Sequence, residues 1–136
     1  MSSYNAAIIA EFRANEGRVG GNFAGAPLLL LTSSGAKSGR PSTSPMMYLA
    51  EGDRWLVFAS NAGAPTNPAW YHNLRANPDA VIEVGSETVE VTATVTEGAE
   101  RDRIYAEQAR LYPGFGEYQE KTTRVIPVVA LERRAG

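Results

Sequence analysis

Leu28-Leu29-Leu30-Leu31-Thr32-Ser33-Ser34-Gly35-Ala36-Lys37-Ser38-Gly39-Arg40-Pro41-Ser42-Thr43-Ser44-Pro45-Met46-Met47-Tyr48-Leu49 is the stretch that decides how this chain folds. An apolar run of strand length, Leu28 to Leu31, breaks into Thr, Ser and Gly, crosses a loop with two cations, and returns to apolar sequence at 46–49. Two such runs around a glycine-rich turn read as a β-hairpin. Its turn offers backbone N–H groups, hydroxyls and two positive side chains. Gly35 and Gly39 allow φ > 0 and close approach of the backbone to a ligand. A concave array of amides suits an anion, to which Lys37 adds a point charge and Arg40 a planar donor fork. A Walker A loop needs Gly directly before Lys37, where Ala36 stands, and this loop leads to a strand rather than a helix. P-loop and dinucleotide-fold readings therefore fail. Taken alone, the loop reads equally well as a plain soluble turn.

Outward from the hairpin, Met46–Leu49 and Arg54–Ser60 read as neighbouring strands joined through Glu51-Gly52-Asp53. Trp55, Val57 and Ala59 alternate with Leu56 and Phe58, so both faces are apolar and the strand is central and buried. A loop of small residues, Ser60 to Thr66, follows. Asn67 suits a helix N-cap and Pro68 the first helical position, with Pro78 as the stop. On that helix Trp70 and Leu74 share a face, with Tyr71 beside them. Ala80–Gly85 and Glu87–Val95 form another hairpin, in which Val89, Val91, Ala93 and Val95 alternate with polar residues. Residues 98–112 are helical. Tyr112-Pro113-Gly114-Phe115-Gly116-Glu117-Tyr118 reads as a Gly/Pro-rich loop presenting three aromatics. Val125–Glu132 is a last strand, with Pro127 marking an edge or irregular position. At the other end, Ile8, Ile9 and Phe12 give residues 4–16 the spacing of a short amphipathic helix, ended by 17–21. The expected fold is mainly β, a single-domain barrel of about six antiparallel strands with two to four peripheral helices.

Composition narrows the chemistry. The chain has 136 residues, 43% of them apolar, which is enough for one domain with a real core. A net charge of −2 with interspersed signs argues against a nucleic-acid surface. With no Cys and one histidine, disulfides, thiolate zinc, multi-His metal sites and Cys nucleophiles all fall away; no metal is expected. His72 reads as lying on the far or packing side of its helix rather than as catalytic. No apolar run approaches the length of about 20 residues that a membrane span needs, and no secretory signal is evident. The expected compartment is the cytoplasm, or the periphery of a membrane if the short N-terminal helix lies on one.

Leu30–Pro41, Ala59–Gly63 and Asn67–Pro78, in that order and spacing, resemble the actinobacterial deazaflavin-dependent nitroreductase family, and the likeness extends through 112–119 and 124–129. The resemblance implies a split β-barrel of the FMN-binding type that uses the 8-hydroxy-5-deazaflavin coenzyme F-420. It implies hydride transfer from reduced F-420 to a small electrophile such as a quinone, an enone or a nitro-aromatic. An FMN-dependent oxidoreductase and a non-catalytic F-420 carrier are the alternatives, and a homodimer is compatible with either. By the same resemblance Lys37, Ser38, Gly39 and Arg40 would meet the coenzyme phosphate. Pro45, Met46, Met47, Ala59, Ser60, Asn61, Ala62, Gly63, Pro68, Ala69 and Trp70 would line its ring. Tyr112, Phe115 and Tyr118 would cover the substrate, with Ser60, Tyr112 and Tyr118 as hydrogen-bond donors to the developing oxyanion. Ala36, Asn61, Met47 and Phe115 depart from residues that are Arg, Lys, Tyr and Tyr in some members.

Overall fold

Six strands close on themselves, each antiparallel to its neighbours: β1 (Leu28–Ser34), β2 (Pro41–Glu51), β3 (Arg54–Phe58), β4 (Asp79–Val84), β5 (Glu87–Val95) and β6 (Val128–Arg133), in the order β1-β2-β3-β6-β5-β4. The computed structural model describes residues 3–20 and 27–134, the side chains of 3–5 and Ala62 aside. Within these, four α-helices lie on the barrel: α1 (Ser3–Ala14), α2 (Ala69–Ala76), α3 (Gly98–Leu111) and α4 (Gly114–Lys121). One 3-10 turn spans Asn61–Gly63.

The period-2 alternation of each strand divides the apolar residues between the barrel interior and its helical covers. Leu29, Leu31, Val57, Ile82, Val89, Val91, Val129 and Leu131 point inward and form the interior core. Leu28 and Leu30 point outward, where Ile9 and Phe12 of α1 cover them. Leu56, Phe58, Val128 and Ala130 point outward beneath Ile104 and Tyr105 of α3. The unbroken Leu28–Leu31 run and the two-faced β3 are thus explained by a layer on each side. Each fully buried Leu contributes about 1.5–3 kcal/mol.

Several boundaries differ from the sequence reading. The first hairpin is longer: β1 runs to Ser34 and β2 starts at Pro41, so the loop shrinks to 35–40. The Thr32 and Thr43 hydroxyls pair across the strands at 2.8 Å, and β-branched Thr suits a pleated surface. Helix α2 starts at Ala69, with Pro68 in extended backbone at the N-cap and Asn67 outside the helix. Asn67 accepts a hydrogen bond from Arg124 instead. The last strand begins at Val128, and Val125 lies 67% exposed before it. Gly21, read as part of the first helix's stop, lies outside the described residues.

The largest difference is α4, which occupies the stretch read as a Gly/Pro loop. Tertiary contacts override the weak propensity of two glycines. Phe115 and Tyr118, three residues apart, pack edge to face on each other, and Phe115 does the same on Phe58. The buried Tyr105 hydroxyl donates to the Phe115 carbonyl at 2.5 Å. Burial pushes the Tyr105 phenol up to about 12 from an ordinary value of 10.0. Because the folded value is the raised one, the stability that this burial confers is fully present below about pH 10 and is lost as pH climbs toward 12. Chemical denaturation across that window should show stability falling with pH in the wild type. Tyr105→Phe should flatten the fall and cost about 0.5–1.5 kcal/mol at neutral pH.

Candidate active site

Strand β2 pairs with β1 along Pro41–Met47, but with β3 only from Tyr48 to Glu51. β3 stops at Phe58 and the chain turns away, so beyond Tyr48 one side of β2 is left without a neighbouring strand. Pro45 sits on this unpaired side, where a residue lacking N–H costs no ladder bond. The seam opens into a cavity of about 440 Å³. Pro45, Met46 and Met47 form one wall, Phe58, Ser60 and Asn61 the floor, Pro68 and Trp70 a second wall, and Phe115 and Tyr118 of α4 the cover.

Trp70 serves two purposes: it is half-buried against the interior core and also faces the cavity. Its helix is anchored by Tyr71 and Leu74, which plug the end of the barrel. The Ser60 and Tyr118 hydroxyls have no protein partner among the described residues, so both donors are open to a ligand. Ala59 is fully buried beneath the floor. Gly63 lies against α4 rather than in the cavity lining, and Ala69, exposed in the first turn of α2, borders Trp70. Ala62 falls within the 3-10 turn of the floor segment. Tyr112 ends α3 and does not line the cavity; its carbonyl accepts from the Phe115 amide at 3.0 Å. Phe115 and Tyr118 thus line the cavity, and Tyr112, with which the resemblance grouped them, does not. His72 is exposed, edge-on to Tyr71.

The Gly35–Arg40 loop is built differently from an open nest of amides. Gly35 N–H donates to Arg40 O, Gly39 N–H to Gly35 O and Arg40 N–H to Ser38 Oγ. Ala36 N–H donates to Asn73 Oδ1 at 3.0 Å. Of the loop amides, those of Lys37 and Ser38 keep no partner among the described residues. Gly39 takes φ +71°, whereas Gly35 stays outside the left-handed region and serves by close approach: a Cβ there would lie 2.6 Å from Ser38 Oγ. Lys37 and Arg40 are exposed, with no carboxylate partner among the described residues, while Arg13, Arg54, Arg103, Arg133 and Arg134 are paired. Pro45 follows Arg40 by five residue steps along β2, about 16 Å at the rise of a strand. This donor set fits a flat ring in the cavity carrying an anionic tail toward the hairpin tip.

Asn73 was not singled out by sequence, yet it docks this loop onto α2. Only 8% exposed, it accepts from Ala36 and donates to Ser33 Oγ at 3.2 Å. Asn73→Ala strands both partners and should cost about 1–3 kcal/mol in folding stability, read from denaturation midpoints.

Arg124 is the second residue that sequence reading passed over. Its half-buried guanidinium donates to the carbonyls of Ala59 (3.1 Å), Ser60 (2.8 Å) and Ala64 (2.9 Å), and to Asn67 Oδ1 (2.6 Å). One fork thus holds the whole segment between β3 and α2. Gln119 of α4 donates to the Arg124 carbonyl and accepts from Ile126 N–H and Arg101. No local pattern signals this clasp, because its acceptors, three backbone carbonyls and one side-chain amide, lie some sixty residues away.

Set beside known proteins, the chain matches the F420H(2)-dependent quinone reductase family over residues 6–133. It is 42% identical over 134 residues to an F420H(2)-dependent quinone reductase of Mycobacterium tuberculosis, covering 92% of this chain and 87% of that protein. A solved structure described as an F420-H2 dependent reductase superposes with a TM-score of 0.72 at 38% identity, over 78% of this chain and 94% of its own. Another, described as a domain-swapped dimer, gives 0.74 at 35% identity over 93% of each chain. With a match that runs from the first helix into the last strand and takes in every segment bordering the cavity, this chain belongs to the F420H(2)-dependent quinone reductase family.

Proposed function

We propose that this protein holds reduced F-420 along the seam cavity and presents it to a quinone. The observation that carries the proposal is the pairing of an aromatic-covered slot with two uncompensated cations about one strand-length away. When bound, the coenzyme supplies a hydride from deazaflavin C5, so that F420H2 and a quinone become F420 and the quinol. Lys37, Arg40 and the Lys37 and Ser38 amides take the anionic tail, where charge-assisted bonds are strongest. Pro45, Met46 and Trp70 keep the ring flat. Phe115 and Tyr118 cover the acceptor and exclude water, and holding reacting atoms at about 3–3.5 Å is the protein's main task. Ser60 and Tyr118 offer hydroxyls to the oxygen on which negative charge develops. Tyr112 is left with no part in this scheme.

Enones and nitro-aromatics are further acceptors of the same chemistry. We place the reaction in the cytoplasm, at the periphery of a membrane when the quinone is lipid-borne. A homodimer is also proposed, on the strength of the solved relative described as a domain-swapped dimer. The test is a titration of the apo protein with F-420 and with FMN, followed by turnover with menadione under coenzyme regeneration. Saturable F-420 binding with multiple turnovers is expected. Preference for FMN overturns the cofactor, and binding without turnover makes the protein a carrier.

A further inference from the structure

Arg124 does more than tie a loop. It forms no ion pair with a carboxylate among the described residues, and its charge is spent on carbonyl oxygens and one amide oxygen. Two of those carbonyls, Ala59 and Ser60, belong to the peptide units whose N–H groups are those of Ser60 and Asn61. Neither N–H has a partner among the described residues, and both residues line the cavity floor. A hydrogen bond to a peptide carbonyl polarises the unit and strengthens its N–H as a donor. The Ser60 carbonyl accepts a second bond, from Gly63 N–H at 2.9 Å, which adds to the effect.

We infer that Arg124 is a positioning residue whose charge, relayed through the Ala59–Ser60 and Ser60–Asn61 peptides, makes the cavity floor select the electron-rich carbonyl edge of a flat heteroaromatic ring in its anionic form. The inference rests on the reading that the F-420 ring lies in this cavity. An 8-hydroxy-5-deazaflavin ionises at its hydroxyl, and conjugation spreads the charge to the pyrimidinedione oxygens, the kind of acceptor that two polarised N–H groups hold. Other ionisable groups border the assembly: Lys37 and Arg40 on the hairpin, Arg101 and Tyr105 on α3, and Tyr118 and Lys121 on α4. All of them remain in place when Arg124 alone is changed.

The experiment follows the ionisation of bound oxidised F-420 by absorbance against pH, in the wild type, Arg124→Lys, Arg124→Gln and Asn67→Ala. The bound ring should ionise at lower pH than the free coenzyme. Arg124→Gln should raise that midpoint by about one unit, the usual effect of losing a nearby opposite charge. Arg124→Lys should retain most of the lowering. Asn67→Ala, which keeps the charge and removes one anchor, should leave it close to wild type. An unmoved midpoint in Arg124→Gln overturns the inference, as does an equal shift in Asn67→Ala, which would make the effect one of loop shape. Should Arg124→Gln fail to fold, the wild type decides: a bound midpoint at or above that of the free coenzyme overturns the idea. Failure of the wild type to bind F-420 overturns the underlying reading itself, whereas binding with an unshifted midpoint overturns this inference alone.

Discussion

Lys37→Ala and Arg40→Ala are each expected to weaken F-420 binding by about 1.5–3 kcal/mol, the worth of a hydrogen bond to a charged group. That is roughly ten- to a hundredfold in dissociation constant. Folding stability should barely move, because both side chains are exposed and break no ion pair within the protein. Isothermal titration and denaturation midpoints on the same samples separate the two effects. The protein is net acidic and the coenzyme's tail is anionic, so long-range attraction contributes little and local placement has to supply the affinity. Raising the salt concentration should therefore weaken wild-type binding, and should weaken binding by the double variant far less. Unchanged affinity in both single variants would move the anionic tail away from the hairpin.

Gly63→Ala is expected to be the most damaging small substitution near the cavity. Gly63 takes φ +80°, and an added Cβ would lie 3.0 Å from both the Tyr118 carbonyl oxygen and Lys121 Cβ. Left-handed backbone costs an L-residue about 1–2 kcal/mol, and pushing α4 outward adds overpacking strain of about 1–3 kcal/mol. The contact matters because α4 carries Phe115 and Tyr118, the cover of the cavity. Thermal denaturation should show the loss of stability, and F-420 affinity should fall as the cover lifts from the floor. A variant as stable as wild type would mean that α4 yields without cost and that the tight approach is not what seats it.

Much of this architecture could be read before any coordinates. Leu28–Leu31 bounded by Thr and Ser, the two-faced 54–59 segment and the alternating 87–95 segment each specify a strand. In each, inward and outward apolar sets follow from a period of two that needs no neighbour to be seen. Gly35 to Arg40 likewise advertises a turn with open cations, because Gly, Lys and Arg carry their conformational freedom and charge wherever they are placed. Three stretches held in order and spacing were enough to suggest the coenzyme.

Other features depended on the closed barrel. Gly114–Lys121 becomes a helix only because Phe115 and Tyr118 find Phe58 and each other, and Tyr105 finds the Phe115 carbonyl. Tyr112 leaves the cavity for the same reason: the chain turns at Pro113, and the two aromatics that follow take the inner face. Asn73 organises the loop through the Ala36 amide 37 residues away, and Arg124 the cavity floor through acceptors about sixty residues away. Local patterns report what a residue prefers within a turn or two of itself. Which distant carbonyl will need its donor, and where a seam will open between strands of unequal length, is settled only when the barrel closes.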